Sequence, residues 1–499
     1  MELEFQKTSC KCLSRVLCEV RSLEQAQEIR LSDGMPDIGR VLCGWGQVLQ
    51  RSKEWNGDTV SLTAGMQVRV LYAPEDGTAA RWVEGWIPFQ LSWDLPESTQ
   101  EGSLQIRCLT RFVDARSVSA RKIMVRAGIS AMAEAWTPGE GQIYSPQSEV
   151  NGLELKKVRY PLRLPKEAGE KAFTLEEDLT VPGSQPELQK LVYYTLEPEI
   201  QEQRVLGDKS VFKGVARLHL MYQAPEGSFH CFDQALPFSQ YAELEESRSS
   251  DAQLRVTMGI TSLELEKQDE THLHLRCSVT ASYLVEDLEV LELIQDAYSP
   301  GRDLQVQMDS LNLGAVLDTR RETVPVEQSI PGEGDNAIDV CFFPDFPRQR
   351  TLENGVGEEL TGMLQVLYMG SDGTLQAAIS RWEDRLTLPA DGSCLVTAEV
   401  LQPSEPQILM GGGDMKVRTE LPLQLTVTGA QGIPMVTGLE LGEEQEPDEN
   451  RPSLLLRRAG TADLWELAKR SGSTVAAIRA VNHLMEDPEP GQMLLIPIL

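Results

Sequence analysis

The chain has 499 residues, 41% hydrophobic and 24% charged, an ordinary globular balance with room for three or four domains. Its formal net charge of -30 argues against surfaces that grip phosphate backbones or anionic lipid, and favours a basic or neutral protein partner over nucleic acid. Nine cysteines, odd in number and mostly scattered, do not make a disulfide framework and suit a reducing compartment.

The N-terminus, Met1-Glu2-Leu3-Glu4-Phe5, lacks a basic region followed by an apolar one, and no run of eighteen apolar residues occurs. Neither an export signal nor a membrane span is therefore expected, and the chain reads as intracellular. Cys10, Cys12 and Cys18 could begin a zinc site, but no His or fourth Cys follows at finger spacing, so buried or incidental thiols are expected.

The body repeats with a period near 150. Leu3-Glu4-Phe5 recurs as Leu153-Glu154-Leu155, and Pro36-Asp37-Ile38 as Pro186-Glu187-Leu188. Val70-Leu71-Tyr72 recurs as Leu220-Met221-Tyr222, and Ile123-Met124-Val125-Arg126 as Leu273-His274-Leu275-Arg276. In a third copy Val366-Leu367-Tyr368 and Met415-Lys416-Val417-Arg418 lie 146 and 142 residues beyond their second-copy equivalents, while Asp335-Asn336-Ala337 stands where a Pro-acidic pair is expected. A Gly follows each Tyr by five residues (Gly77, Gly227, Gly373), and Tyr144-Ser145-Pro146 and Tyr298-Ser299-Pro300 mark both hand-overs between copies.

Within each copy, period-2 stretches such as Met66-Gln67-Val68-Arg69-Val70 predict half-buried strands, and Pro-Glu-Asp-Gly at 74–77 predicts a hairpin turn. The period is too long for a solenoid, so the copies are duplicated domains: 1–150, 151–300 and a diverged 301–441. Residues 442–452 carry five carboxylates and two prolines and read as an acidic, solvated linker across which few contacts should run.

Residues 453–499 predict a small β-α-α-β unit. Asp463 caps a helix in an Asp-x-x-Glu box with Glu466, Ser471-Gly472 stops it, and Thr474 caps a second helix carrying Val475, Ile478 and Val481. Pro490-Gly491 turns into the apolar strand Met493–Ile496. Trp465 has two readings, packing in a very small core or anchoring a partner.

Catalytic constellations are not found, so no enzyme activity, cofactor or metal is expected. His219, His230, His272 and His274 lie in strand-like stretches, and His272 and His274 share one strand face, as solvent-facing polar residues do. Gly411-Gly412-Gly413-Asp414 lacks the Gly-Lys-Ser/Thr of a phosphate loop, and no Gly-x-Ser-x-Gly element occurs.

The tail, from Arg457-Arg458-Ala459-Gly460 through Asp463-Leu464-Trp465 to Pro490-Gly491 and Pro497, resembles a LysM module. With the repeated Pro-acidic-apolar and apolar-Leu/Met-Tyr motifs, the whole chain resembles SipL-type proteins of anaerobic spore-forming Firmicutes. The resemblance implies a mainly β fold, with three tandem sandwich- or barrel-like SPOCS-type domains followed by a small α+β LysM module. It also implies a non-catalytic adaptor in spore coat assembly, made in the mother cell cytoplasm and recruited to the forespore surface. There the LysM module would bind a coat morphogenetic ATPase called stage IV sporulation protein A.

The alternative is a glycan-binding protein acting on peptidoglycan or spore cortex. LysM modules hold sugar between two loops, and the first usually reads Gly-Asp-Thr/Ser-Leu-Trp. Here it reads Gly460-Thr461-Ala462-Asp463-Leu464-Trp465, which displaces a hydroxyl and a carboxylate that sugar recognition depends on. A protein ligand is therefore the expectation. Its candidate contacts are Ala462, Asp463, Leu464 and Trp465 on one loop, Pro488 to Pro490 on the other, and Arg457 and Arg458 at the rim.

Overall fold

Period-2 patterning builds nearly all of this molecule. The computed structural model describes residues 3–96, 99, 101–148, 150–352, 355–388, 394–411, 413–429, 431–444, 452–459 and 463–499. They form a mainly β protein with two short helices. Among these residues no helix is long and apolar enough to cross a membrane.

The first copy comprises β1 (Phe5–Arg30), β2 (Ile38–Asn56), β3 (Thr59–Pro74), β4 (Arg81–Asp94), β5 (Ser103–Ser119) and β6 (Lys122–Pro146). All pairings are antiparallel, in two three-stranded sheets ordered β1-β6-β5 and β2-β3-β4. The second copy repeats this with β7 (Glu154–Thr180), β8 (Lys190–Leu206), β9 (Lys209–Gln223), β10 (Phe229–Glu243), β11 (Gln253–Lys267) and β12 (His272–Tyr298), as β7-β12-β11 and β8-β9-β10.

The third copy uses β13 (Arg302–Leu311), β14 (Val316–Pro331), β15 (Gly334–Pro344), β16 (Arg348–Leu352), β17 (Gly355–Gly370), β18 (Leu375–Leu388), β19 (Cys394–Val400), β20 (Gln407–Gly411), β21 (Asp414–Gly429) and β22 (Ile433–Glu444). The long pairing of first and last strands is here broken in two, with β13 on β22 and β14 on β21. At Val316↔Arg163 β14 also meets β7, which joins the second and third copies into one sheet, β11-β12-β7-β14-β21-β19.

Alternation explains how each pair of sheets closes on a core. Val60, Leu62, Ala64, Met66, Val68 and Val70 of β3 face Ile123, Val125, Ala127, Ile129 and Ala131 of β6, all buried. Leu218, Leu220 and Tyr222 of β9 face Leu273, Leu275 and Val279 of β12 in the same way. Leu364, Val366 and Tyr368 of β17 face Met415, Val417 and Leu423 of β21. In the apolar-Leu/Met-Tyr motif the outer two residues therefore serve the copy's own core. The middle residue points the other way, and Leu71, Met221 and Leu367 meet in a separate cluster shared by all three copies.

The motif's Tyr also explains the Pro-acidic-apolar element. Tyr72 Oη donates to the carbonyl of Pro36 at 3.0 Å, and Tyr222 Oη to that of Pro186 at 2.7 Å. The Gly five residues after each Tyr adopts a positive φ, at Gly77 (71°), Gly227 (94°) and Gly373 (73°), which a side chain would strain. In the third copy strand pairing corrects the sequence alignment. Ile38 pairs two residues past Tyr72 and Gly334 pairs two past Tyr368, so Gly332-Glu333-Gly334, not Asp335-Asn336-Ala337, occupies the position of Pro36-Asp37-Ile38. Tyr368 Oη donates instead to Gln376 Oε1 at 3.0 Å.

Cys10 and Cys12 are buried against Leu162, Leu164, Leu291 and Leu311, where the long strands of the copies touch. Burial pushes the Cys10 thiol up to about 11, whereas Cys18 is exposed. Among the described residues these three thiols form no metal-binding group.

Tyr72→Phe and Tyr222→Phe should each cost about 1–2 kcal/mol, because each leaves a part-buried turn carbonyl without its donor. Tyr368→Phe, whose partner is a flexible cross-strand Gln, should cost less. Melting of the three variants side by side tests the ordering, and equal losses would contradict it.

Candidate partner-binding site

The C-terminal unit is built from β23 (Leu454–Arg458), α1 (Leu464–Ser471), α2 (Val475–Asn482) and β24 (Met493–Pro497). Asp463 caps α1, its carboxylate accepting from Glu466 N at 2.8 Å, and Gly472 ends it in the left-handed conformation. Thr474 caps α2 through Ala477 N at 3.1 Å. Asn482 then locks α2 to β24, donating to Leu495 O at 2.6 Å and accepting from Leu495 N at 2.8 Å. Leu464, Ala468, Ile478, Leu494 and Ile496 fill the small core.

One residue of that core comes from elsewhere. Tyr298, the last residue of β12, is 5% exposed and belongs to the same cluster. Its ring meets Trp465 edge-on at 4.8 Å, and its Oη donates to Ser473 O at 3.0 Å. Beside it, Asp296 accepts from Trp465 Nε1 at 2.8 Å and pairs with Lys469 at 2.7 Å, while Lys156 pairs with Asp463 at 2.8 Å. The unit is thus seated on the end of the β7–β12 strand pair.

This corrects the expectation that few contacts cross to the tail. The acidic linker cannot carry that correction itself: residues 445–451 lie outside the described residues, and Gly442, Glu443 and Glu444 complete β22.

The electrostatics favour the seat. Burial works to raise the Asp296 carboxyl pKa, but hydrogen bonds from Lys469 and Trp465 outweigh it and hold the group below the ordinary carboxylate range. The Asp463 carboxyl is held down by the Lys156 ammonium and by its capping bond from Glu466 N. Burial pushes the Tyr298 phenol up, so it stays a donor.

The predicted contact residues separate into two groups. Trp465 is 9% exposed and engaged by Tyr298 and Asp296, so its indole is not a free anchor. Leu464 is buried in the core, and Asp463 is committed to its cap and to Lys156. Ala462 lies outside the described residues. On the other loop Pro488 is half-buried and Pro490 exposed. Arg457 and Arg458 are exposed.

Arg458 shares its strand face with an apolar strip that sequence reasoning missed. Leu454 and Leu456 on β23 alternate outward, as do Met493 and Leu495 on β24, with Leu456 opposite Leu495 and Arg458 opposite Met493. All four are exposed, Leu456 at 60%. The alternation of Leu454-Leu455-Leu456 could have revealed the strip, but the run reads equally as a fully buried strand. The seat itself had one sequence signal, the Tyr-Ser-Pro at the end of each of the first two copies.

Asp296→Ala removes the acceptor of Trp465 Nε1 and the partner of Lys469, and should loosen the seat by roughly 1–3 kcal/mol. Proteolysis in the 445–462 stretch should accelerate while the body's melting holds, and an unchanged cleavage rate would contradict this. Both carboxyls have folded pKa values below their unfolded value of about 3.9. Their contribution is therefore present above that pH and is lost as pH falls through the depressed values. The same cleavage assay should show the unit coming loose only in that acid window.

Residues 187–267 match the family model described as SipL, SPOCS domain. That stretch begins just ahead of β8, at the residue after Pro186, and stops at the last residue of β11. No curated protein and no solved structure gives a significant match. The match, which falls within the second copy, supports a SipL-type protein with a role in sporulation.

Proposed function

We propose that this protein is a non-catalytic adaptor of spore coat assembly. Its C-terminal β-α-α-β unit is a LysM-type module that binds a coat morphogenetic ATPase of the stage IV sporulation protein A type. It acts in the mother cell cytoplasm at the forespore surface, and its three copies are tandem SPOCS-type sandwiches. The observation that carries the reading is the SPOCS match at 187–267. The six-strand topology of the matched copy recurs in the first copy, and the apolar-Leu/Met-Tyr motif recurs at Val366-Leu367-Tyr368 of the third, which supports extending the assignment to both neighbours.

The seat supports a protein ligand over a glycan. In a sugar-binding LysM module the first loop is free to hydrogen-bond a ligand. Here Asp463 and Trp465, at the end of that loop, spend their polar atoms on Lys156 and Asp296. What the unit leaves open is the β23–β24 face, an apolar strip with Arg458 at its edge. Interfaces favour such an apolar centre with a charged rim.

The test uses the full-length protein and the purified ATPase. Arg458→Glu and Leu456→Asp should each weaken binding at least about tenfold, about 1.4 kcal/mol. Melting should stay within roughly 0.5 kcal/mol, as for surface substitutions. Full binding by both variants would remove the face from the proposal. Co-sedimentation with purified cell wall, as strong as that of a sugar-binding LysM control, would replace the reading with the glycan one.

A further inference from the structure

The three copies meet around Leu71, Met221 and Leu367, and register places three further equivalent residues beside them: Cys43 opposite Leu71, Tyr193 opposite Met221 and Asp339 opposite Leu367. Asp339 is buried, and its carboxylate accepts from Trp45 Nε1 of the first copy at 3.0 Å. From the second copy His219 brings Nε2 to 3.0 Å from Asp339 Oδ1, while its Nδ1 is held by Asp233 at 2.7 Å. Cys231, on the strand next to His219, completes a group. One donor atom each from His219, Cys231 and Asp339 lies within 4.8 Å of the other two. Cys341 Sγ sits 3.3 Å from Asp339 Oδ2.

We propose that His219, Cys231 and Asp339 bind a divalent metal ion of the zinc class, clamping the second copy to the third. Zinc at its usual bond lengths needs ligand atoms about 3.3–3.8 Å apart, so the group closes on an ion by small side-chain rotations. The mixed nitrogen, sulfur and oxygen set suits zinc rather than calcium or magnesium. Asp233 on Nδ1 fixes the imidazole with Nε2 directed at the ion, the carboxylate–histidine arrangement typical of metal ligands. Trp45 Nε1 orients the carboxylate in the same supporting way.

The repeat itself does not require this chemistry. In the first copy the places of His219 and Asp233 hold Arg69 and Glu84, a permanent ion pair at 2.5 Å. In the third they hold Gln365 and Ile379. The second copy's pair is the one that can ligate. Entry is provided by a cavity of about 1380 Å³ between the copies, lined in part by Tyr193, His219, Cys231, Asp339 and Cys341. Binding displaces the Cys231 thiol proton, and that of His219 when the ring is charged, so affinity should fall as pH falls.

The full-length protein, stripped with a chelator under reducing conditions, should take up one equivalent of zinc per chain and melt several degrees higher. Cobalt(II) in its place should give a near-ultraviolet thiolate-to-cobalt band. Cys231→Ser should abolish that band and weaken zinc binding at least tenfold, His219→Gln should weaken it similarly, and Cys18→Ser should change nothing. In the wild type, where folding of variants is not in question, zinc should slow alkylation of Cys231 at least tenfold. Absence of uptake, uptake untouched by Cys231→Ser and His219→Gln, or equal alkylation of Cys231 with and without zinc would each overturn the proposal.

Discussion

Because the side chains of a strand alternate, a strand at the centre of a small sheet has one face for its own core and one to spare. In this protein the spare faces of β3, β9 and β17 are spent on each other. Leu71, Met221 and Leu367 are all at most 1% exposed, and Trp45 stacks on Tyr193 at 4.3 Å over them. Burying such side chains contributes roughly 1.5–3 kcal/mol each. The burial makes one body of three β copies that would otherwise be beads on a chain. Largely buried ion pairs, Arg111 to Asp345 and Arg107 to Glu399 between the first and third copies, orient the ring rather than drive it, because their attraction is offset by desolvation. The seat of the C-terminal unit depends on the same body, since Tyr298, Asp296 and Lys156 are held in place at the end of a strand pair whose middle is part of it.

What could be read in the sequence was local. The repeats, the strands and the hairpin turns follow from alternation and from Gly at positive φ, and Asp463 and Thr474 announce their helices. What could not be read was which face of a strand meets which neighbour. Val70-Leu71-Tyr72 was visible as a motif, yet its division between two cores, and the bond from Tyr72 to Pro36, appear only when strands are placed beside each other. In the third copy Gly332 replaces the Pro that marks the turn, so the element sits three residues ahead of Asp335-Asn336-Ala337 and carries no Pro to reveal it. Trp465 finds Asp296 across 169 residues and His219 finds Asp339 across 120, and no spacing rule reaches that far.

Divergence among the copies follows the jobs they do. The first two keep an unbroken pair of strands of 25 to 27 residues each, while the third breaks its own between Leu311 and Val316. The break frees β14 to meet β7, so two copies share a sheet. Only the second copy ends in a Tyr that receives the C-terminal unit. The equivalent Tyr144 remains half-buried against the body.

The unequal residues at the central junction also fix the order of the copies. Cys43, Tyr193 and Asp339 occupy matching seats, but only one of them is an anion, and it is surrounded by Trp45 from one neighbour and His219 from the other. A chain with its first and third copies exchanged would carry every strand and every apolar face it needs. It would still set a buried carboxylate among partners that were not made for it, at a cost of several kcal/mol. The ring is therefore closed in one sense only, like a lock whose three wards are cut to different depths, and tandem duplication has become a single part that cannot be shuffled.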